Sequence, residues 1–171
     1  MDHLFVSWRC CLCGGALDPR PPRSGALVYD LQFLPAPGWV QETTGMHPQA
    51  PQAISATVAN VHFEDPAGAV PLNTLRSLQP NGIVITATLY VPGRWSEGGR
   101  ERPLPLNLGD ADVRQSWEGQ AARTVPEYVL WQQVNGYFLD VRVYFGTLDP
   151  SDDLTAEAQA ELAELAVPLR E

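Results

Sequence analysis

The chain contains no lysine: all 11 of its basic side chains are arginine. Schiff-base chemistry and a phosphate-loop lysine are therefore excluded. Positive charge is scarce altogether, since 20 acidic residues set the net charge at −9. Binding to a phosphate backbone or an anionic membrane surface needs clustered Lys and Arg, so neither nucleic acid nor a membrane is an expected partner. Cysteine is confined to Cys10, Cys11 and Cys13. The rest of the chain thus has neither a disulfide framework nor a buried thiol. No stretch approaches the roughly 18 consecutive apolar residues that a membrane helix requires. Met1 to Gly15 lacks the basic start and long apolar run of a signal peptide, with Arg9 and the cysteines in the way. The sequence as written reads as soluble and acidic, with no visible export signal.

Catalytic signatures are equally sparse. The chain has no GxSxG, HExxH or GxGxxG motif, and only three histidines. His47 sits beside Pro48, and His62 closes a candidate strand, where a surface or packed histidine is the ordinary reading. Cys10, Cys11 and Cys13 with His3 resemble half a zinc site, but structural zinc takes two spaced pairs and no second pair exists. Asp149, Asp152, Asp153 and Glu157 cluster without the alternating aspartates and glycine of a calcium loop. They read instead as the acidic first turn that a helix dipole favours. No catalytic residue, metal ligand or cofactor is assigned, and activity as an enzyme is not expected.

What the chain does have is length and pattern. Its 171 residues suffice for one domain that buries roughly two-thirds of its unfolded surface. Residues 1–25 hold every cysteine and the Pro/Arg/Gly/Ser run DPRPPRSG, and read as a flexible or disordered leader. Residues 26–171 read as a single domain. ALVYDLQF is an expected first strand ending at the turn-forming PAPGW. Residues 41–52 are expected to form a loop, followed by a strand over Ile54 to Phe63. Pro71 to Leu78 suggests a short helix capped by Asn73 or Thr74. Ile83 to Val91 is apolar on both sides, as a central strand is. LPLNL alternates leucines in strand fashion, and VRQSW suggests a short edge strand.

The strongest signal is Asn135-Gly136 between EYVLWQQV and YFLDVRVYFG. Both residues accept positive φ, as a two-residue type I′ turn requires. The turn fixes the register: Val134 faces Tyr137, Gln132 faces Leu139, Leu130 faces Val141 and Tyr128 faces Val143 on one side. The other side carries Glu127, Val129, Trp131, Gln133, Phe138, Asp140, Arg142 and Tyr144. There Trp131 lies opposite Asp140 and diagonal to Arg142, close enough for a guanidinium to cover an indole. Trp131, Phe138, Arg142 and Tyr144 are the candidate binding residues if this side is exposed; under a helix, loop or second sheet they are ordinary core. After the hairpin, Ser151 is a candidate N-cap, and Leu154, Ala158, Leu162 and Leu165 recur at helical spacing up to Pro168. Glu157, Glu161 and Glu164 are assigned to other faces of that helix.

The strand running into PAPGW, Pro35 to Trp39, is similar to the opening of Mog1/PsbP-like domains. So is the close, a penultimate hairpin with Tyr137 just after its turn and then a capped amphipathic helix. NGYFLDVRVYFG with the following PS and AQAEL also resembles uncharacterised extracytoplasmic domains of high-GC Gram-positive bacteria. The resemblance implies an antiparallel sheet flanked by helices, used for binding or assembly outside the cytoplasm, with no catalytic residues to carry over. The long helices of the family's middle section have no counterpart here.

The expectation is an α+β domain: a mostly antiparallel β-sheet with a C-terminal amphipathic helix on one face. A two-sheet β-sandwich with one appended helix is the alternative. For function, the first reading is a non-catalytic binding or interaction module, the soluble part of an exported protein, whose partner is a protein or a small apolar ligand. The alternatives are a carrier holding an apolar ligand between sheet and helix, and a carboxylate-dependent hydrolase. The sequence sets no oligomeric state.

Overall fold

The computed structural model describes residues 31–47, 50–65, 71–90, 101–115 and 126–169. The leader and its cysteines lie outside these residues, as does most of ALVYDLQF. Eight strands and two α-helices follow in chain order: β1 (Gln32–Phe33), β2 (Val40–His47), β3 (Ala50–Ala59), α1 (Leu72–Ser77), β4 (Ile83–Tyr90), β5 (Asp112–Gln115), β6 (Pro126–Val134), β7 (Tyr137–Phe145), α2 (Asp152–Ala163) and β8 (Leu165–Ala166). Six strands form one antiparallel sheet in the order β2-β3-β4-β7-β6-β5, while β1 and β8 pair by themselves. The result is the α+β architecture with a C-terminal helix, not the sandwich.

The hairpin is built as its turn residues dictate. Asn135 has φ 54° and Gly136 φ 78°. Val134 pairs with Tyr137, Gln132 with Leu139, Leu130 with Val141 and Tyr128 with Val143. β4 then pairs along its whole length with β7, placing Ile83 opposite Phe145 and Leu89 opposite Leu139. Two neighbours on each side make β4 and β7 the sheet's centre, consistent with their apolar runs. At the end of β7, Gly146 passes so close to the loop after α1 that a Cβ there would meet the Gln79 carbonyl oxygen at 1.6 Å. Only glycine tolerates that approach.

One face of the sheet carries the main core. Ala56, Val58, Ile83, Ile85, Leu139, Val141, Val143 and Phe145 pack there with Ala158, Leu162 and Leu165. Tyr128 meets Phe145 edge-on with ring centroids 5.2 Å apart. Helix α2 starts where its cap predicts, with Ser151 Oγ accepting from the Leu154 amide at 3.3 Å and Asp152 and Asp153 in the first turn. Two side chains tie neighbouring segments to this layer. Gln159 accepts from the Leu108 amide at 2.7 Å and donates to the Leu106 carbonyl at 2.8 Å, anchoring the stretch before β5. Asn135 donates to the Val167 carbonyl at 3.0 Å, joining the hairpin turn to the C-terminal tail.

Several local expectations are corrected. Most of the segment 41–52 expected as a loop is sheet: β2 pairs with β3 from Val40 opposite Ala59 to His47 opposite Ala50, with irregular register around Met46. LPLNL forms no strand; Leu106 and Leu108 are buried, and a single 3-10 turn spans Leu108–Asp110. The prolines at 103 and 105 have no N–H to give a ladder. VRQSW does contribute the edge strand β5. Helix α1 is capped by neither Asn73 nor Thr74. Asp65 accepts from the Asn73 and Thr74 amides at 2.9 and 2.8 Å, satisfying the first turn from outside the helix.

Glu161 is the largest departure. It was assigned to an outer face, yet only 1% of it is exposed. Seven residues after Leu154 is about 700° of helix, within about 20° of two full turns, so Glu161 belongs to the apolar stripe by spacing.

Because α2 has only 12 residues and is marginal alone, packing must hold it. Leu162→Ala is expected to lower unfolding free energy by about 2–5 kcal/mol in denaturant titration. Ala160→Ser, on the exposed side, should stay within about 0.5 kcal/mol. Equal small effects would mean that α2 does not pack on the sheet.

Candidate functional site

The second face of the sheet differs in chemistry. At one end, Ala59, Phe63, Leu75, Leu78, Val84 and Tyr144 form a small apolar cluster beneath α1. Beyond it the face turns polar. Across β3 and β4, Thr57 hydrogen-bonds Thr86 at 3.3 Å and Ser55 meets Thr88 at 2.9 Å. These are directly opposed positions, since Thr57 pairs with Thr86 and Ser55 with Thr88. Cross-strand hydroxyl pairs of this kind satisfy each other where apolar side chains are absent.

Next to that row lies an ion cluster on β6 and β7. The Arg142 guanidinium holds Asp140 through Nη2 to Oδ2 at 3.0 Å and Nε to Oδ1 at 3.3 Å. Its Nη1 reaches Glu127 Oε1 at 3.1 Å. The Tyr144 hydroxyl donates to the same Glu127 oxygen at 2.8 Å. The side chains of Glu127 and Asp140 are 7% and 4% exposed, against 28% for Arg142. Burial by itself would lower the basicity of the guanidinium. The hydrogen bond and charge of Asp140, with the charge of Glu127, outweigh it and hold Arg142 well above its ordinary value. Arg142 is thus a fixed cation, neutralising two carboxylates that burial would otherwise make costly.

Beside the ion cluster runs an aromatic row. Tyr90 and Phe138 lie with ring centroids 5.8 Å apart, and Phe138 and Trp131 meet edge-on at 4.9 Å. The row crosses β4, β7 and β6. Phe138 and Tyr144 are buried, while Trp131 is 53% exposed.

The four candidate residues therefore share one face but separate into different roles. Tyr144 is a buried donor to Glu127, and Phe138 is the floor on which Trp131 rests. Arg142 faces the two carboxylates, and the indole meets Phe138 edge-on. Trp131 alone of the four presents a large apolar surface to solvent. Glu127 and Asp140, which sequence reasoning placed on this face without a role, complete the site. Their signal was available: in the register Glu127 lies diagonally across from Arg142, and Asp140 precedes it by two residues on the same strand face. His62 is exposed, and among the described residues no group of His, Cys, Asp and Glu could hold a metal. No described helix is long and apolar enough to cross a membrane.

Chemically this arrangement is a rigid, charge-compensated platform. A pair of carboxylates doing acid-base work needs room for substrate and water between its groups. Here a guanidinium fills that position, bonded to both.

Removing the guanidinium should expose the cost it offsets. Arg142→Met leaves two buried carboxylates unpaired, and is expected to cost about 2–4 kcal/mol, reduced from the fully buried case because Arg142 is partly solvated. Trp131→Ala is expected to cost less than half as much. Thermal and denaturant unfolding of the two variants side by side check this; a neutral Arg142→Met would show that the cluster is not maintained.

Compared with protein-family models, with curated proteins and with solved structures, the chain finds no match, so the reading of this face rests on its own residues.

Proposed function

We propose that the chain is a non-catalytic binding module, the soluble part of an exported protein, which meets its partner through the Trp131 side of the second sheet face. The observation that carries this reading is the exposure of Trp131, 53% in solvent in the middle of a paired strand. An indole there costs hydration and gains the domain little beyond its contact with Phe138. Large aromatics on rigid elements are the residues that anchor interfaces, because little side-chain entropy remains to be lost on binding.

Two further features support the reading. The layer between sheet and α2 is filled by fully buried side chains such as Leu139, Val141, Val143, Phe145 and Leu162. That speaks against an apolar ligand carried there. The engagement of Glu127 and Asp140 by Arg142 speaks against a carboxylate-dependent hydrolase. The resemblance to Mog1/PsbP-like domains points the same way, since it implies binding or assembly with no catalytic residues. A protein partner fits best: Trp131 gives it an apolar anchor, and the partly exposed Arg142 offers a polar rim.

Site-specific photo-cross-linking in the native host tests the proposal. A photoreactive side chain at position 131 should give a discrete cross-linked product. The same group at position 148, where Leu148 is 74% exposed but lies outside the sheet, should not. Indistinguishable patterns from the two positions would refute a recognition role for this face.

A further inference from the structure

The stretch between β1 and β2, residues 34–38, is a turn exposed along its whole length, and it lies over the end of α2. Two backbone amides fasten it. Leu34 donates to the Glu164 carbonyl at 3.2 Å, and Ala36 donates to Glu161 Oε2 at 3.2 Å. The Trp39 amide closes the turn on the Ala36 carbonyl at 3.0 Å. Residues on either side are held firmly: Leu31 and Phe33 are 1% and 2% exposed, and the partly buried Trp39 packs on the main core.

Beneath this turn the Glu161 carboxyl is buried with half its hydrogen-bonding capacity unused. Oε1 is sealed from solvent and has no partner. An unsatisfied buried polar atom is uncommon in a folded protein and asks for an explanation. Among the described residues that flank it, none offers positive charge. On its own helix the neighbours are Glu157 and Glu164, both acidic, and the Glu157 carboxylate is engaged by Asn60 Nδ2 at 3.2 Å. The segment from Leu31 to Trp39 contributes no ionisable side chain, and neither does β8.

We propose that Glu161 is a proton-controlled latch: its neutral form keeps the turn 34–38 closed on α2, and its ionisation opens that turn. The neutral acid still accepts the Ala36 amide through its carbonyl oxygen, and it carries no charge into an enclosed, acidic neighbourhood. Ionised, the group gains a stronger bond from Ala36 but bears a charge with one oxygen unsolvated and two acidic neighbours. Opening the turn lets water reach Oε1 and relieves both. The balance follows the same order. Burial pushes the Glu161 carboxyl above the ordinary carboxylate range, the Ala36 amide draws it partly back, and Glu164 and Glu157 push it up again.

The sign follows directly. An acid whose closed-state pKa is raised binds more protons closed than open. The closed turn is therefore favoured at low pH and loses ground as pH rises from the ordinary glutamate range through the raised value. Only the turn moves, because Leu31, Phe33 and Trp39 stay anchored.

The test combines a carbon-detected titration of the Glu161 carboxyl with amide hydrogen exchange, corrected for intrinsic rates, between about pH 4 and about pH 8. Protection of the Ala36 and Leu34 amides is expected to fall about tenfold for each unit by which the Glu161 pKa is raised, in step with its titration. Protection of Val141 should not change. In Glu161→Gln, which keeps shape and acceptor but cannot ionise, Ala36 and Leu34 should show no such step. Three results would overturn the latch: a carboxyl titrating in the ordinary range, protection that is flat or rises with pH in the wild type, or an equal fall in Glu161→Gln. The wild-type titration decides the matter even if the variant is unstable.

Discussion

The rest of the structure depends on the register of the hairpin β6-β7. Side chains alternate strictly along a strand, so a slip of one residue would send Leu139, Val141 and Val143 to the polar side and drive Asp140 and Arg142 into the core. Asn135 and Gly136 prevent this, because a two-residue turn with positive φ at both positions allows one pairing only. From that pairing follow the apolar surface on which α2 packs and the juxtaposition of Glu127, Asp140, Arg142 and Tyr144. Asn135 reinforces the register by donating to Val167, at the far end of the chain.

The two faces solve different problems. The α2 side is a conventional apolar layer, in which methyl and aromatic groups exclude water and stability comes from buried area. The other side pairs polar groups: hydroxyl with hydroxyl across β3 and β4, and guanidinium with two carboxylates across β6 and β7. Such pairs contribute less net stability than an apolar filling would, and their loss is costly once one member is removed. On the same side the aromatic row leads from Tyr90 through buried Phe138 to exposed Trp131. Glu161 is the exception on the apolar side, a carboxyl inside the stripe of α2 whose ionisation works against the packing around it.

Much of this was legible in the sequence wherever local chemistry and global packing agree. The hairpin register, the central position of β4, the Ser151 cap and the apolar stripe of α2 could all be read from spacing and turn residues. Readings failed where a tertiary partner overrides a local signal. The Thr-Thr-Gly and Pro-containing segment 41–52 looks like a loop, but β3 supplies a ladder for it. The alternating leucines of 104–108 look like a strand, but Leu106 and Leu108 are buried on a proline-interrupted segment held by Gln159. The cap of α1 comes from Asp65, outside the helix, which no N-cap rule within the helix anticipates. At the candidate site the composition of the face was legible, whereas the engagement of both carboxylates by Arg142 was not. Glu161 was readable by its position relative to Leu154, but its charge argued for the outside.

The central claim, that one register divides the two faces, is tested most directly by proton NOEs between α-protons across the hairpin. With the turn at Asn135-Gly136, Trp131 and Asp140 form a non-hydrogen-bonded pair, as do Val129 and Arg142, and such pairs bring their Cα atoms within about 4.5 Å. Strong α-proton NOEs for Trp131–Asp140 and Val129–Arg142 are predicted. NOEs linking Trp131 to Leu139 or to Val141 instead would show a slipped register and contradict the account.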